Sequence, residues 1–183
     1  MKIYFLRHAE TKLDFDTPVS DWVLSERGHG QARTVADSGI FDSVVRIISS
    51  AEQKAKNTAQ YVCERLGVEL ESTDQLNELY RGKEAYMTQD QYRMAVKNLF
   101  ETGQVLDWES LDSVICRVSS YVDSLYANSN LDDILIVAHG INLTAYFAQL
   151  QNVLDRAFER WMQLDFCDYG IVEDNFVVHD IIV

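Results

Sequence analysis

The sequence predicts an α/β protein, a three-layer α/β/α sandwich with a mostly parallel central sheet. Three observations lead there. The runs "KIYFLR", "VVRIIS" and "DDILIVAHG" are continuously apolar, as strands are when helices cover both faces of a sheet. Segments of helical period separate these runs, and strand–helix alternation favours parallel pairing. Finally, 183 residues with 47% hydrophobic side chains and a single proline suit one full core rather than two or a disordered chain.

The elements follow in order. "KIYFLR" is the first strand, and Ser25 caps a helix through Gln31, Ala32, Val35 and Ala36. Val44 to Ser49 is a second buried strand. The next helix is expected to open with Ser50 and Gln53 in capping-box spacing and to bury Ala55, Thr58, Ala59, Val62, Cys63 and Leu66. "VELESTDQLNEL" supplies a short strand and a loop. A polar helix spans Thr88 to Phe100, and a longer one spans Ser110 to Leu125. "DDILIVAHG" is the third buried strand, followed by a helix marked by Leu143, Tyr146, Phe147 and Leu150. The last stretch reads as one or two strands around the turn "EDN". No repeat, low-complexity tract or linker interrupts the chain. Residues 1–183 are expected to form a single domain, with a small helical lid or insertion at about 82–107.

Composition removes several function classes. A formal net charge of -13 argues against a nucleic-acid or anionic-membrane surface, both of which need clustered Lys and Arg. Cys63, Cys116 and Cys167 form no CxxC or Cys/His ligand pair and read as reduced packing cysteines. The short apolar run broken at Arg7 is no signal peptide, and no run approaches a membrane span, so the expected location is cytoplasmic. "HAE" lacks the PCxxC partner of a zinc deaminase, and "GHG" lacks the third glycine of a dinucleotide loop. Neither a metal nor a cofactor is expected. Nothing in the sequence specifies an oligomeric state.

Ligands of open α/β sheets bind beyond the carboxyl ends of the strands. There the sequence places Arg7 and His8, then Ser49 to Lys54, then "NELYRGKE", then His139 and Gly140. Two histidines, two or more cations and a carboxylate or two would share one pocket. Phosphoryl transfer fits this set. A neutral imidazole can attack phosphorus, and positioned cations stabilise the spread charge. Arg7 offers a planar fork, Lys54 a point charge and His139 a donor when protonated. Helix N-termini after Ser50 and Gly140 would aim N–H groups at the anion. Glu78 or Glu84 would protonate the leaving oxygen.

"LRHAET" and "VAHG" together resemble the histidine phosphatase superfamily, also called the phosphoglycerate mutase-like group. "LSERGHGQA", "SSAEQKAKNTA", "LNELYRGKE" and "WESLDSVICRV" match further family segments in the expected order. The resemblance runs from Ile3 to about Leu143. It implies His8 as the phosphorylated nucleophile and Arg7 as a phosphate clamp. It makes His139 the second phosphate-pocket histidine, with Glu78 the proton donor and Glu84 the alternative acid. Lys54 stands where the family has arginine, Ala9 for a common glycine, Ala51 for a proline and Lys83 for a tryptophan.

The expected activity is that of a cofactor-free phosphomonoesterase acting on a small phosphorylated metabolite through phospho-His8. Rival readings are a phosphoglycerate mutase, a phosphohistidine-protein phosphatase, and a degenerate member that binds phosphate without turnover. The short stretch from Gly82 to Asp107 speaks against a mutase enclosure, and "LNELYRG" speaks against the protein-phosphatase group.

Overall fold

The computed structural model describes residues 1–82, 87–128 and 132–182. Its strands are β1 (Lys2–Arg7), β2 (Val44–Ser50), β3 (Leu70–Thr73), β4 (Asp133–Ala138), β5 (Tyr169–Glu173) and β6 (Phe176–His179). The helices are α1 (Glu26–Asp37), α2 (Gln53–Leu66), α3 (Gln89–Thr102), α4 (Leu111–Asn128), α5 (Gly140–Leu150) and α6 (Ala157–Gln163). The strands form one sheet in the order β3-β2-β4-β1-β5-β6. The first four of that order run parallel, and β5 and β6 join antiparallel. This mixed sheet flanked by helices is the expected sandwich.

Alternation along the strands divides the core. Ile3 and Phe5 of β1, with Ile134, Ile136 and Ala138 of β4, face α4 and α5 through Val118, Val122, Leu143 and Phe147. Tyr4, Leu6, Leu135 and Val137 face the other way and meet Ala36, Ala55, Ala59 and Val62 of α1 and α2. Both faces are therefore apolar, which is why these strands show no polar alternation in the sequence. A third cluster joins Val96, Leu99 and Phe100 of α3 to Ile141, Ala145 and Ala157. The polar helix of the 82–107 segment is thus held by its apolar stripe against α5 and α6.

Helix ends follow local chemistry with one exception. Ser25 accepts from the Gly28 N–H at 2.9 Å, and Thr88 and Gln91 complete a capping box on α3. The expected capping box at Ser50 and Gln53 does not form. Ser50 ends β2, its hydroxyl donates to Asn77 Oδ1 at 2.9 Å, and Glu52 is the N-cap of α2 without a side-chain cap. Helix α6 has no counterpart in the sequence reading. It is seven residues long and is held by packing of Ala157, Phe158 and Trp161 into the third cluster. At the far edge, Asp174 and Asn175 take φ of 50° and 65°, the left-handed pair that closes the β5–β6 hairpin.

Candidate active site

β1 and β4 pair in parallel with Arg7 opposite Ala138, so His8 and His139 leave adjacent strands at one level. The His8 N–H donates to the Ala138 carbonyl at 2.9 Å, and the two imidazole centroids are 5.1 Å apart. Both rings are buried. His8 Nδ1 lies 2.8 Å from the Ala9 carbonyl, so this nitrogen carries the proton and Nε2 keeps its lone pair. Burial first, then the charges of His139, Arg7 and Lys54, hold the His8 pKa well below its usual value. Burial, followed by Lys54 and Arg7, does the same at His139. A neutral imidazole at His139 offers one N–H donor, and a protonated one offers two.

Arg7 shares the phase of Ile3 and Phe5 and so turns toward α5 and α6. It donates to the Leu164 carbonyl at 2.5 Å, and its guanidinium carbon is 4.4 Å from the centroid of Phe166. Phe166 also stands 5.7 Å from the His8 ring. Gly140 leaves space here, since a Cβ would lie 3.4 Å from Arg7 Nε and 3.3 Å from the Trp161 indole nitrogen. Arg7 Nε and both ring nitrogens of His139 are buried donors or acceptors without a partner among the described residues. Buried polar atoms left in this way mark a place for an oxyanion.

The loop beyond His8 is braced by the "LSERGHGQA" stretch. Ser25 donates to Glu10 Oε1 at 2.7 Å, the Glu10 N–H donates to Gln31 Oε1 at 3.0 Å, and the Ser25 N–H donates to the Glu10 carbonyl. A Cβ on Gly28 would sit 2.0 Å from that carbonyl, so only glycine permits α1 to come this near. Thr58 of α2 accepts from the Ala9 N–H at 3.0 Å.

Glu78 stands on the loop after β3. One of its oxygens accepts from the Ile141 N–H at 3.0 Å, and the other accepts from Asn142 and Leu79 at 3.1 Å each. Its own N–H donates to Glu52 Oε1 at 2.7 Å. Burial raises its pKa, Glu52 adds to that, and the three backbone donors oppose it. The expectation that the α5 N-terminus faces a phosphate is corrected, because Glu78 takes its Ile141 and Asn142 N–H groups. Just before α2, the Ala51 and Glu52 N–H groups are held by Asn77, Thr73 and Ser50. Glu84 lies outside the described residues.

The "WESLDSVICRV" segment supports this acid. Arg117 of α4 forks onto Glu109 at 3.1 and 2.8 Å and also donates to the carbonyls of Gln75 and Asn77 at 2.7 and 3.0 Å. Asn142 Nδ2 donates to the Leu76 carbonyl at 2.9 Å. Tyr92 of α3 closes one side, edge-on to Trp161, with burial pushing its phenol up to about 12.

Lys54 enters the same cluster from the first turn of α2 and is 4% exposed. Its ammonium donates to the Val19 carbonyl at 2.9 Å and pairs with the Glu52 carboxylate. Glu52 Oε1 is also 3.7 Å from His139 Nε2. A cavity of about 400 Å³ opens over Glu52 and Glu78, walled by Val19, Ser20, Tyr80 and Arg81. The structure thus gathers Arg7, His8, Lys54, Glu78, His139 and Gly140. Glu52, Phe166, Trp161 and Tyr92 join them without having been singled out in the sequence. Of these, only Glu52 sat inside a recognised motif, two residues before Lys54.

Comparison with known proteins bears on the family and the fold. Residues 3–175 match the family described as histidine phosphatase superfamily (branch 1). A Serratia proteamaculans protein named "Probable phosphoglycerate mutase GpmB" is 26% identical over 94% of this chain and 85% of its own length. Among solved structures, Bacillus stearothermophilus YhfR superposes with a TM-score of 0.81 at 22% identity, covering 100% of this chain and 97% of its own. Mycobacterial glucosyl-3-phosphoglycerate phosphatase superposes with a TM-score of 0.76 at 22% identity, covering 93% and 88%.

Proposed function

The chain belongs to the histidine phosphatase superfamily, and from that membership we propose that it is a phosphomonoesterase acting through a phosphohistidine at His8. The observation that carries this reading is the His8–His139 pair. The two buried imidazoles lie 5.1 Å apart, and His8 Nδ1 is tied to the Ala9 carbonyl, which leaves Nε2 as the nucleophile. In the first step the Nε2 lone pair forms a bond to phosphorus while the bond from phosphorus to the ester oxygen breaks. Glu78, carrying a proton, delivers it to that oxygen, and the alcohol leaves. In the second step the Glu78 carboxylate takes a proton from water. The water oxygen bonds to phosphorus, the N–P bond breaks, and inorganic phosphate departs with His8 neutral again.

Arg7, His139 and Lys54 supply the charge and hydrogen bonds that the phosphoryl oxygens need, and Gly140 gives the room for Arg7. A raised Glu78 pKa suits an acid that must hold its proton near neutral pH. The substrate is a small phosphorylated metabolite, for which the cavity above Glu52 and Glu78 has room. The mycobacterial neighbour's name points to a phosphorylated sugar acid as one member of a test panel. Residues 1–183 act as one domain, and the cytoplasm suits its three free cysteines. No helix of the described residues is long and apolar enough to cross a membrane.

The test is hydrolysis of an aryl phosphate and a panel of sugar and glycerate phosphates by wild type and His8→Ala. Wild-type turnover with net phosphate release is expected, at least a thousandfold lower in the variant. An acid-labile phosphoryl label should be trapped on the wild type alone. Retained turnover in His8→Ala would remove the assignment. Transfer of phosphate between substrate positions without net release would favour the mutase reading that the Serratia protein's name carries.

A further inference from the structure

Lys54 and Glu52 form a buried ion pair within the site, with side chains only 5% and 10% exposed. A buried ammonium needs an anion beside it, because its lost hydration is otherwise uncompensated. In this structure the anion comes from the chain itself. Glu52 does not cap α2, although it occupies the N-cap position where a carboxylate is ordinarily held by the helix N–H groups. Its carboxylate is turned to Lys54, to the Glu78 N–H and toward His139 Nε2 at 3.7 Å. Arg7 Nε and both His139 ring nitrogens meanwhile find no partner among the described residues. The site therefore holds buried polar atoms of Arg7 and His139 and, beside them, a cation already neutralised.

We propose that Glu52 sets the anion affinity of this site by competing with the substrate's phosphoryl group for Lys54. A tetrahedral oxyanion engages the full set of cations only by displacing the Glu52 carboxylate. This inference rests on the site being the phosphoryl pocket described above. The groups facing Glu52 are Lys54 on its own helix, Glu78 on the acid loop, His139 at the head of α5 and Tyr92 of α3. Lys54 pairs with it directly, and the Arg81 guanidinium lines the same cavity. A phosphoryl group arriving at His139 brings negative charge up to Glu52, and repulsion between the two weakens the hold of Glu52 on Lys54. Anion affinity is thereby set below what Arg7, Lys54 and the histidines would give alone.

The consequence is a gain of binding on removing a buried polar side chain, which a purely structural role would not produce. Orthovanadate, a tetrahedral oxyanion, is titrated calorimetrically into wild type, Glu52→Gln and Glu52→Asp at neutral pH. Glu52→Gln is expected to bind at least tenfold more tightly than wild type, and Glu52→Asp to stay at the wild-type level. A folded Glu52→Gln that binds vanadate no better than wild type overturns the proposal. Should that variant fail to fold, the carboxyl ¹³C resonance of Glu52 in wild type is followed through the same titration. A shift on vanadate binding is expected, and an unmoved resonance at saturation overturns the proposal. Wild type and variants that all bind no vanadate would overturn the phosphoryl pocket itself. Binding without the gain in Glu52→Gln overturns the role of Glu52 alone.

Discussion

The histidines and the acid of this site are mounted in different ways. His8 and His139 stand at the ends of β1 and β4, paired by a backbone ladder from Ile3–Ile134 to Arg7–Ala138 with apolar cores on both faces. Glu78 stands on an irregular loop with no ladder of its own. Its position comes from the Ile141 and Asn142 N–H groups of α5 and the Glu52 carboxylate. The loop itself is held by Arg117 of α4, by the Asn142 side chain, and by the neighbouring Asn77 bridging to Ser50 and Ala51. Backbone pairing fixes a group with few options for drift, whereas a loop is as well placed as its last hydrogen bond. The two histidines are therefore robust to single substitutions around them, and Glu78 depends on its braces.

Three substitutions would break or sharpen this contrast. The largest effect is expected for Glu78→Gln, which keeps the shape but has no proton to give. Hydrolysis of alkyl phosphates should fall a hundredfold or more, and hydrolysis of aryl phosphates, whose leaving oxygen needs little protonation, less than tenfold. Equal losses on both would move the acid role elsewhere. In wild type, the raised Glu78 pKa means that alkyl phosphate hydrolysis declines on the alkaline side as this proton is lost.

A smaller effect is expected for Arg117→Met, which touches no substrate. It removes two hydrogen bonds to the Gln75 and Asn77 carbonyls and two to Glu109, leaving that half-buried carboxylate without its ion-pair partner. We expect a loss of roughly 2 kcal/mol in stability, below the full cost of breaking a deeply buried pair. Alkyl phosphate turnover should drop about tenfold, with trapping of phosphate on His8 little changed. Loss of trapping as well would show that the brace serves both halves of the site.

The smallest effect concerns pH. Folding holds both site histidines well below their ordinary pKa of 6.5. Below that value the unfolded chain binds protons that the folded chain refuses, so stability falls on acidification and is unaffected by these groups above it. Each histidine contributes up to about 1.4 kcal/mol per pH unit. His139→Gln should therefore lose less stability than wild type between pH 7 and pH 5.5, as measured by chemical denaturation. Parallel losses in both would show that His139 is not held neutral by the fold.

The same contrast explains what could be read before the structure. "KIYFLRHAE" and "ILIVAHG" state a buried strand and the group at its end within one short stretch, so the placement of His8 and His139 followed from local pattern. Gly28 and Gln31 were visible as a motif, but their bracing of Glu10 was not, because those contacts join residues far apart in sequence.

The sequence by itself determined the layers of the sandwich, the parallel strands and which histidines end them, because burial on two faces leaves a local signature of composition and period. Tertiary structure alone decided that α6 forms, that Phe166 lies against Arg7, that Glu78 takes the Ile141 and Asn142 N–H groups of α5, and that Glu52 leaves its cap to hold Lys54. Each of these is settled by competition among groups distant in the chain, where the strongest available partner wins, and no single stretch of sequence contains all the competitors.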